Sequence, residues 1–286
     1  MRIKITLTLL LAAACMYFSI ALATDVSPRR IVSLSPNLTQ VIFALGEGDR
    51  VVCVTIYSEF PPESKDLPKV GGWINPNYEA ILALEPDLVV MMKDQDVSFG
   101  DKIRSLGIKT FTANSNDSVG DILQSITDLG GMLGKEAEAR ELNGYIQIAI
   151  QEVVEKTGNS DKKSVLLVVG RNPGTLEDIY VIGTNNYIDE LITVAGGINV
   201  IKNERNALKI TREAVYSLNP EVIIEINHEK IDKEAEILAI WDSLENVSAV
   251  RNKRVYVLSS ALILHPSHRI KDGVRVLSKT LHLELY

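Results

Sequence analysis

Cysteine is nearly absent: the 286 residues hold two, with two tryptophans and four histidines. Cys15 sits in the apolar start of the chain, so Cys53 stands alone in the remaining residues and cannot close an internal disulfide. It lies within the apolar run Val51–Ile56, where a thiol reads as a small core side chain. One cysteine and scattered histidines also leave no cluster of three or four ligands for a zinc or manganese site. The pair in His265-Pro266-Ser267-His268 reads as a solvated loop. No G-x-S-x-G elbow, Walker A loop or H-E-x-x-H helix occurs, and Gly46-Glu47-Gly48 follows a helical pattern rather than a strand. An enzyme is not expected. Basic clusters are missing too. With 37 acidic against 30 basic residues the chain is net negative, which argues against nucleic acid or anionic lipid as a partner.

The N-terminus carries a different signal. Arg2 and Lys4 precede the uncharged run Ile5–Ile20, and Ala21-Leu22-Ala23 supplies an A-x-A site. Residues 1–23 are read as a secretory signal peptide, giving a mature chain of 286 − 23 = 263 residues with net charge (30 − 2) − 37 = −9. Lipid attachment at Cys15 is the alternative route to the cell surface.

Within the remainder, one sentence is written twice. Asn77–Val90 reads NYEAILALEPDLVV and Thr211–Ile224 reads TREAVYSLNPEVII, and Glu213 follows Glu79 by 213 − 79 = 134 positions. Nine of fourteen positions are identical or conservative, and the same shift pairs Arg30-Ile31-Val32 with Ser164-Val165-Leu166. Agreement in order at this scale indicates a duplicated lobe. Short continuous apolar runs at Ile31–Leu34, Val51–Ile56, Leu88–Met92 and Ile108–Ala113 predict buried strands in the first lobe. Val165–Val169, Val222–Ile226 and Val255–Ser259 do so in the second. Pro36 behind Ser35 opens a helix that Gly46 stops. Pro173–Gly183 reads as an inserted hairpin or extended loop.

Between the lobes, KEAEARELNGYIQIAIQEVVEK spaces Leu142, Ile146, Ala149 and Val153 on one helical face. A helix of that length reaches about 33 Å and makes a stiff strut rather than a flexible linker. The expected organisation is a first α/β lobe over 24–134, a linking helix over 135–157 and a second lobe over 158–286. The fold class is α/β: two Rossmann-like lobes with parallel sheets on one long helix.

Ligands of open α/β sheets bind beyond the carboxyl ends of the strands, and two facing lobes share that gap. The candidates there are Pro36 and Asn37, Tyr57, Gly72 and Trp73, and Met92 from the first lobe. Arg171, Tyr180, His228 and the Ala261–His265 segment come from the second, with His265 a ligand candidate. Trp241, with apolar neighbours at helical spacing, belongs to the core. Glu79 and Glu213 each fall in the first turn of a helix, where a carboxylate complements the dipole by roughly 0.3–1 kcal/mol. Their duplication also gives two matched acidic points for a basic partner of two-fold character.

RIVSLSPNLTQVIFALG, YSEFPPESKDLPKVGGW, NYEAILALEPDLVV and YIDELITVAGGINVI together resemble the substrate-binding proteins of bacterial ABC importers for vitamin B12, haem and ferric siderophores. The likeness spans the whole mature chain and is nearest to the cobalamin-binding branch. It implies a monomer outside the cytoplasm, with no resident cofactor, that carries a corrinoid in the cleft and delivers it to a dimeric membrane permease. It implies that Glu79 and Glu213 meet arginines of that permease, and that Tyr57, Trp73 and Tyr180 are cleft aromatics. Met92 and Ala207 stand where that branch has tryptophans, which thins the aromatic wall. Haem is the rival ligand, with His265 or Tyr57 as axial group. An iron chelate would look to Arg171 and Arg205. A two-lobed metal-cluster enzyme, the distant alternative, would need cysteines the chain lacks.

Overall fold

A computed structural model describes residues 27–115, 117–202, 208–227 and 234–286. The signal segment 1–23 with Cys15, and Arg205, Ala207 and His228, lie outside the described residues.

The first lobe is built on four parallel strands: β1 (Ile31–Ser33), β2 (Val51–Val54), β3 (Leu88–Met92) and β4 (Thr110–Ala113), in the order β2-β1-β3-β4. Every residue of β1 and β3 is buried, as continuous apolar runs between helical layers require. Helix α1 (Pro36–Ala44) starts at Pro36, and Gly46 beyond it takes φ +80°. Ser35 occupies the N-cap position but does not cap: its hydroxyl is drawn to the Asn37 side chain instead. Helix α2 (Tyr78–Ala83) is capped by Asn77, whose side chain accepts from Ala80 N at 3.0 Å.

Helix α3 (Val119–Leu133) opens on a reciprocal box between Ser118 and Asp121 and closes on Gly134 at φ +70°. The strut comes next as α4 (Glu136–Thr157), 22 residues long. At the corner, a Cβ on Gly130 would stand 2.4 Å from the Ala139 Cβ, so only glycine lets the two helices meet so closely. The buried face of α4 is Ala139, Ile146, Ala149, Val153 and Thr157, while Leu142 is half-buried.

The second lobe repeats the plan with an addition. Strands β5 (Lys163–Gly170), β6 (Ile179–Val181), β7 (Gly197–Asn199), β8 (Leu208–Ile210), β9 (Val222–Asn227) and β10 (Val255–Ser259) form one sheet. Parallel pairing of β7, β5, β9 and β10 reproduces the first lobe's β2-β1-β3-β4 order. The sheet is mixed rather than purely parallel, because β6 runs antiparallel to both β5 and β8. This is the Pro173–Gly183 insertion: its Ile179–Val181 is a strand that takes over the flank of β5 beyond the end of β7. Helices α5 (Tyr187–Val194), α6 (Arg212–Leu218), α7 (Glu234–Trp241) and α8 (Ile270–Leu281) cover it.

The duplication extends to single hydrogen bonds. Ile31 pairs with Leu88, and Val165 with Val222, in the same register 134 residues on. Asp87 accepts from Arg30 N at 2.9 Å, and Glu221 accepts from Ser164 N at 2.8 Å. The helix-to-strand turn puts Glu85 at φ +45° and Asn219 at φ +43°.

One apolar cluster runs from Ile31, Val90 and Phe111 through Ile126 and Leu129 to Ile146 and Val153 of the strut. It continues into Leu191, Ile224, Val274 and Leu277 of the second lobe. Helix α4 packs against α3 on one side and α8 on the other. The lobes are thus joined by a shared core as well as by a rod. Trp241 is fully buried in a separate cluster on the far face of the second sheet.

Candidate functional site

The carboxyl ends of β1, β2 and β3 all open toward the second lobe. The segments leaving them line a cavity of about 990 Å³ between the lobes. Its first-lobe wall is Pro36 and Asn37 from the start of α1, Tyr57 after β2, Trp73, Met92 at the end of β3 with Lys93, Asp94, Val97 and Ser98 beyond it, and Ser115 and Asp117 after β4. Its second-lobe wall is Tyr187, Leu264, His265 and Pro266. That volume is at the upper end of the ~300–1,000 Å³ typical of small-molecule sites.

Trp73 is fixed at both ends. Its indole N–H donates to Asp94 Oδ2 at 2.9 Å, and its carbonyl accepts from Gln95 Nε2 at 2.9 Å. The indole therefore offers its flat face rather than its donor. Gln95, nearly fully buried, also donates to Leu34 O at 2.8 Å and accepts from Met92 N at 3.0 Å. The helix that carries it passes through a π turn at Asp96–Gly100, placing Val97 and Ser98 on the rim. Gly72 is not on the cavity wall but makes room for it. A Cβ there would meet Asn75 Oδ1 at 2.7 Å and stand 3.6 Å from the Tyr57 ring.

The floor is stitched across the lobes. Asn37 Nδ2 donates to Pro266 O at 3.2 Å and approaches Met92 Sδ at 3.3 Å. Gln40 accepts from Ser267 Oγ at 2.6 Å through Oε1, and its Nε2 faces His265 Nδ1 at 3.2 Å. A further bond between the lobes runs from Val119 N to Glu190 Oε2 at 2.8 Å. Tyr187 is buried with its hydroxyl on Ile263 O at 2.9 Å, and burial pushes that phenol well above its ordinary range.

Six predicted residues, Pro36, Asn37, Tyr57, Trp73, Met92 and His265, thus meet at one cavity. Tyr180 is not among those lining it; it is exposed on β6, opposite Gly170 at the carboxyl end of β5. Arg171 is committed elsewhere: its Nε donates to Glu225 Oε2 at 3.1 Å in an almost completely buried ion pair, so it presents no cation to the gap. The 265–268 loop is not simply solvated. His268 turns to a separate cavity of about 230 Å³ with Gln40 and Phe60, and its Nδ1 is buried without a hydrogen-bond partner among the described residues. Burial, with Lys271 and Arg269 nearby, pushes this imidazole down to about 4. Among the described residues no three His, Cys, Asp or Glu side chains come together as a metal site. The Cys53 thiol is buried and pushed up to about 11 by that burial, which makes it unreactive.

Gln40, Asp94, Gln95 and Tyr187 were not singled out by the sequence. Asp94 and Gln95 carried one signal, their place just beyond β3; Gln40 and Tyr187 are polar only where a facing element meets them. Glu79 and Glu213 lie away from the cavity, exposed in the first turns of α2 and α6. The Glu213 carboxyl is held below its ordinary range by its own backbone N–H and then by Thr211. A second large cavity, about 800 Å³, borders Glu213 and shares no residue with the first.

Twin α/β lobes fixed on one helix around a gap walled by flat side chains define a bilobed solute-binding protein. Residues 31–262 match the periplasmic binding protein family, and the chain belongs to it. It is 30% identical over 265 residues to YvrC, an uncharacterized ABC transporter substrate-binding lipoprotein of Bacillus subtilis (strain 168), covering 91% of this chain and 82% of that protein. It is 28% identical over 266 residues to the high-affinity heme uptake system protein IsdE of Staphylococcus aureus (strain Newman), covering 89% and 87%. The fold matches the periplasmic vitamin B12 binding protein BtuF of Vibrio cholerae with TM-score 0.78 at 23% identity, covering 90% and 98%. The chain is a substrate-binding protein of an ABC importer, and its relatives are binding proteins rather than enzymes.

Proposed function

We propose that this chain captures a corrinoid in the gap between its lobes and presents it to a two-fold permease outside the cytoplasmic membrane. Residues 1–23 direct export, and 24–134 and 158–286 act as the two lobes on the 135–157 helix. The observation that carries the reading is the lining of the large cavity. Tyr57 and Trp73 supply flat faces for a macrocycle. The ionised groups beside them are Lys93 against Asp94 and Asp117, so acids outnumber bases. A ring with neutral amide arms suits that balance; one with carboxylate arms is repelled by it. Arg171, the described cation expected to favour an anionic iron chelate, is occupied by Glu225.

Haem is the second reading, favoured by a specific observation. Met92, Tyr57 and His265 line the same cavity, and thioether, phenol and imidazole are the side chains that hold haem iron. The IsdE relative, named for heme uptake, fits that choice. Calorimetry of the purified mature chain with cyanocobalamin, dicyanocobinamide and haemin separates the two. Submicromolar binding of a corrinoid is expected. Silence with both corrinoids beside a haemin complex with a shifted Soret band would transfer the site to haem.

A further inference from the structure

The repeated glutamates do not stand alone on their helices. One turn after each comes a large apolar side chain left in solvent: Leu82, 41% exposed, and Tyr216, 39% exposed. Both are three positions from their glutamate, and 216 − 82 = 134 is again the repeat offset. Residues three apart share a helix face, so each acid and its apolar neighbour form one patch. The opposite faces are already satisfied. Ile81 and Val215, also one repeat apart, are fully buried in the core of their own lobe. The surroundings match as well, from the capping Asn77 and Thr211 to the left-handed Glu85 and Asn219. Tyr216 is further held by its hydroxyl on Ser243 O at 3.4 Å, an oxygen that also accepts from Arg212 Nη2 at 3.1 Å.

Duplication kept an exposed apolar side chain at the same place twice, once as leucine and once as tyrosine, where core packing asks for neither. Two equivalent patches fit a partner with two equivalent sites, and an acid beside an apolar group fits a cation beside an apolar socket. We propose that Leu82 and Tyr216 are the apolar anchors of the permease-docking surface, each seated in one half of the permease next to the cation that meets Glu79 or Glu213. This rests on the importer reading and extends it by dividing the labour within each patch. The acids govern encounter and its salt dependence, and the apolar anchors govern residence.

The test measures association and dissociation of the full mature chain on its purified permease in lipid nanodiscs, at low and high salt. Leu82→Ser with Tyr216→Ser is expected to speed dissociation by about 25-fold, each anchor contributing about fivefold independently. Association and its salt slope should stay within about twofold of wild type. Glu79→Gln with Glu213→Gln should instead slow association and flatten the salt slope. If the acid pair weakens docking while the apolar pair dissociates like wild type, the anchors are refuted and the docking reading stands. If neither pair alters binding, the docking reading falls with them. Sedimentation velocity adds a separate check: a wild-type dimer abolished by the apolar pair would assign these faces to a second copy and overturn the proposal.

Discussion

Gln95 bridges three backbone groups from three segments: Leu34 O, Trp73 O and Met92 N. Gln95→Leu keeps the volume and orphans all three, at about 1–3 kcal/mol for each group that water cannot reach. A loss of roughly 3 kcal/mol in urea unfolding is expected, together with weaker ligand binding, because the Trp73 loop loses its anchor. A variant that unfolds like wild type would show the bridge to be dispensable. His268 gives a pH prediction. Its folded value of about 4 lies below the ordinary 6.5, so the unfolded chain takes up the proton first. Stability therefore falls as pH drops from about 6.5 toward 4, by roughly 3 kcal/mol at most. His268→Gln should flatten that limb of the stability curve while leaving the neutral-pH value within about 1 kcal/mol; an unchanged acid slope would place the responsible group elsewhere. At this scale the sequence was legible wherever a residue's place on the chain decides its role. Tyr57 follows β2, Met92 ends β3 and Trp73 lies in the glycine-flanked loop before α2, and strand ends face the gap. Gln40 and Tyr187 were not legible, because what makes them matter is Ser267 or Ile263 arriving from elsewhere in the fold.

Among the elements, the parallel strands with continuous apolar runs were legible almost to the residue: the fully buried β3 and the half-buried β10 match their runs end to end. Strand β6 was legible only as part of the Pro173–Gly183 insertion, and β7 and β8 were not legible. Each is three residues long with an exposed middle position, and Leu-Lys-Ile or Gly-Ile-Asn carries no period to detect. β6 and β7 pair with β5, and β8 pairs only with β6, so each triplet becomes a strand when its partner arrives. The strut was read correctly as a helix, but its buried face is set by two partners rather than one, which draws in Ala139 and Thr157 and leaves Leu142 at the margin. Ile146 sits at the centre of that face, fully buried. Ile146→Ala should cost about 2–5 kcal/mol. Because the cluster it joins spans both lobes, the variant should still melt in one transition. Two separated transitions in differential scanning calorimetry would mean that the lobes fold independently.

For the whole molecule, the common core, the strut and the stitches Asn37–Pro266, Gln40–Ser267 and Val119–Glu190 all oppose separation of the lobes. Small-angle scattering should register a change in radius of gyration of no more than about 1 Å on loading, the range of preorganised partners. A change of several ångströms would contradict a rigid frame. Glu79→Ala with Glu213→Ala should leave ligand affinity intact and abolish uptake, since both acids lie away from the cavity; normal uptake by that variant would remove the docking role. The shared core has one more consequence. A body whose outline barely responds to cargo offers the membrane machinery nearly the same handle whether full or vacant. Vacant copies should then compete for the entrance, and excess unloaded protein should slow uptake by a reconstituted importer in proportion to its share of the pool.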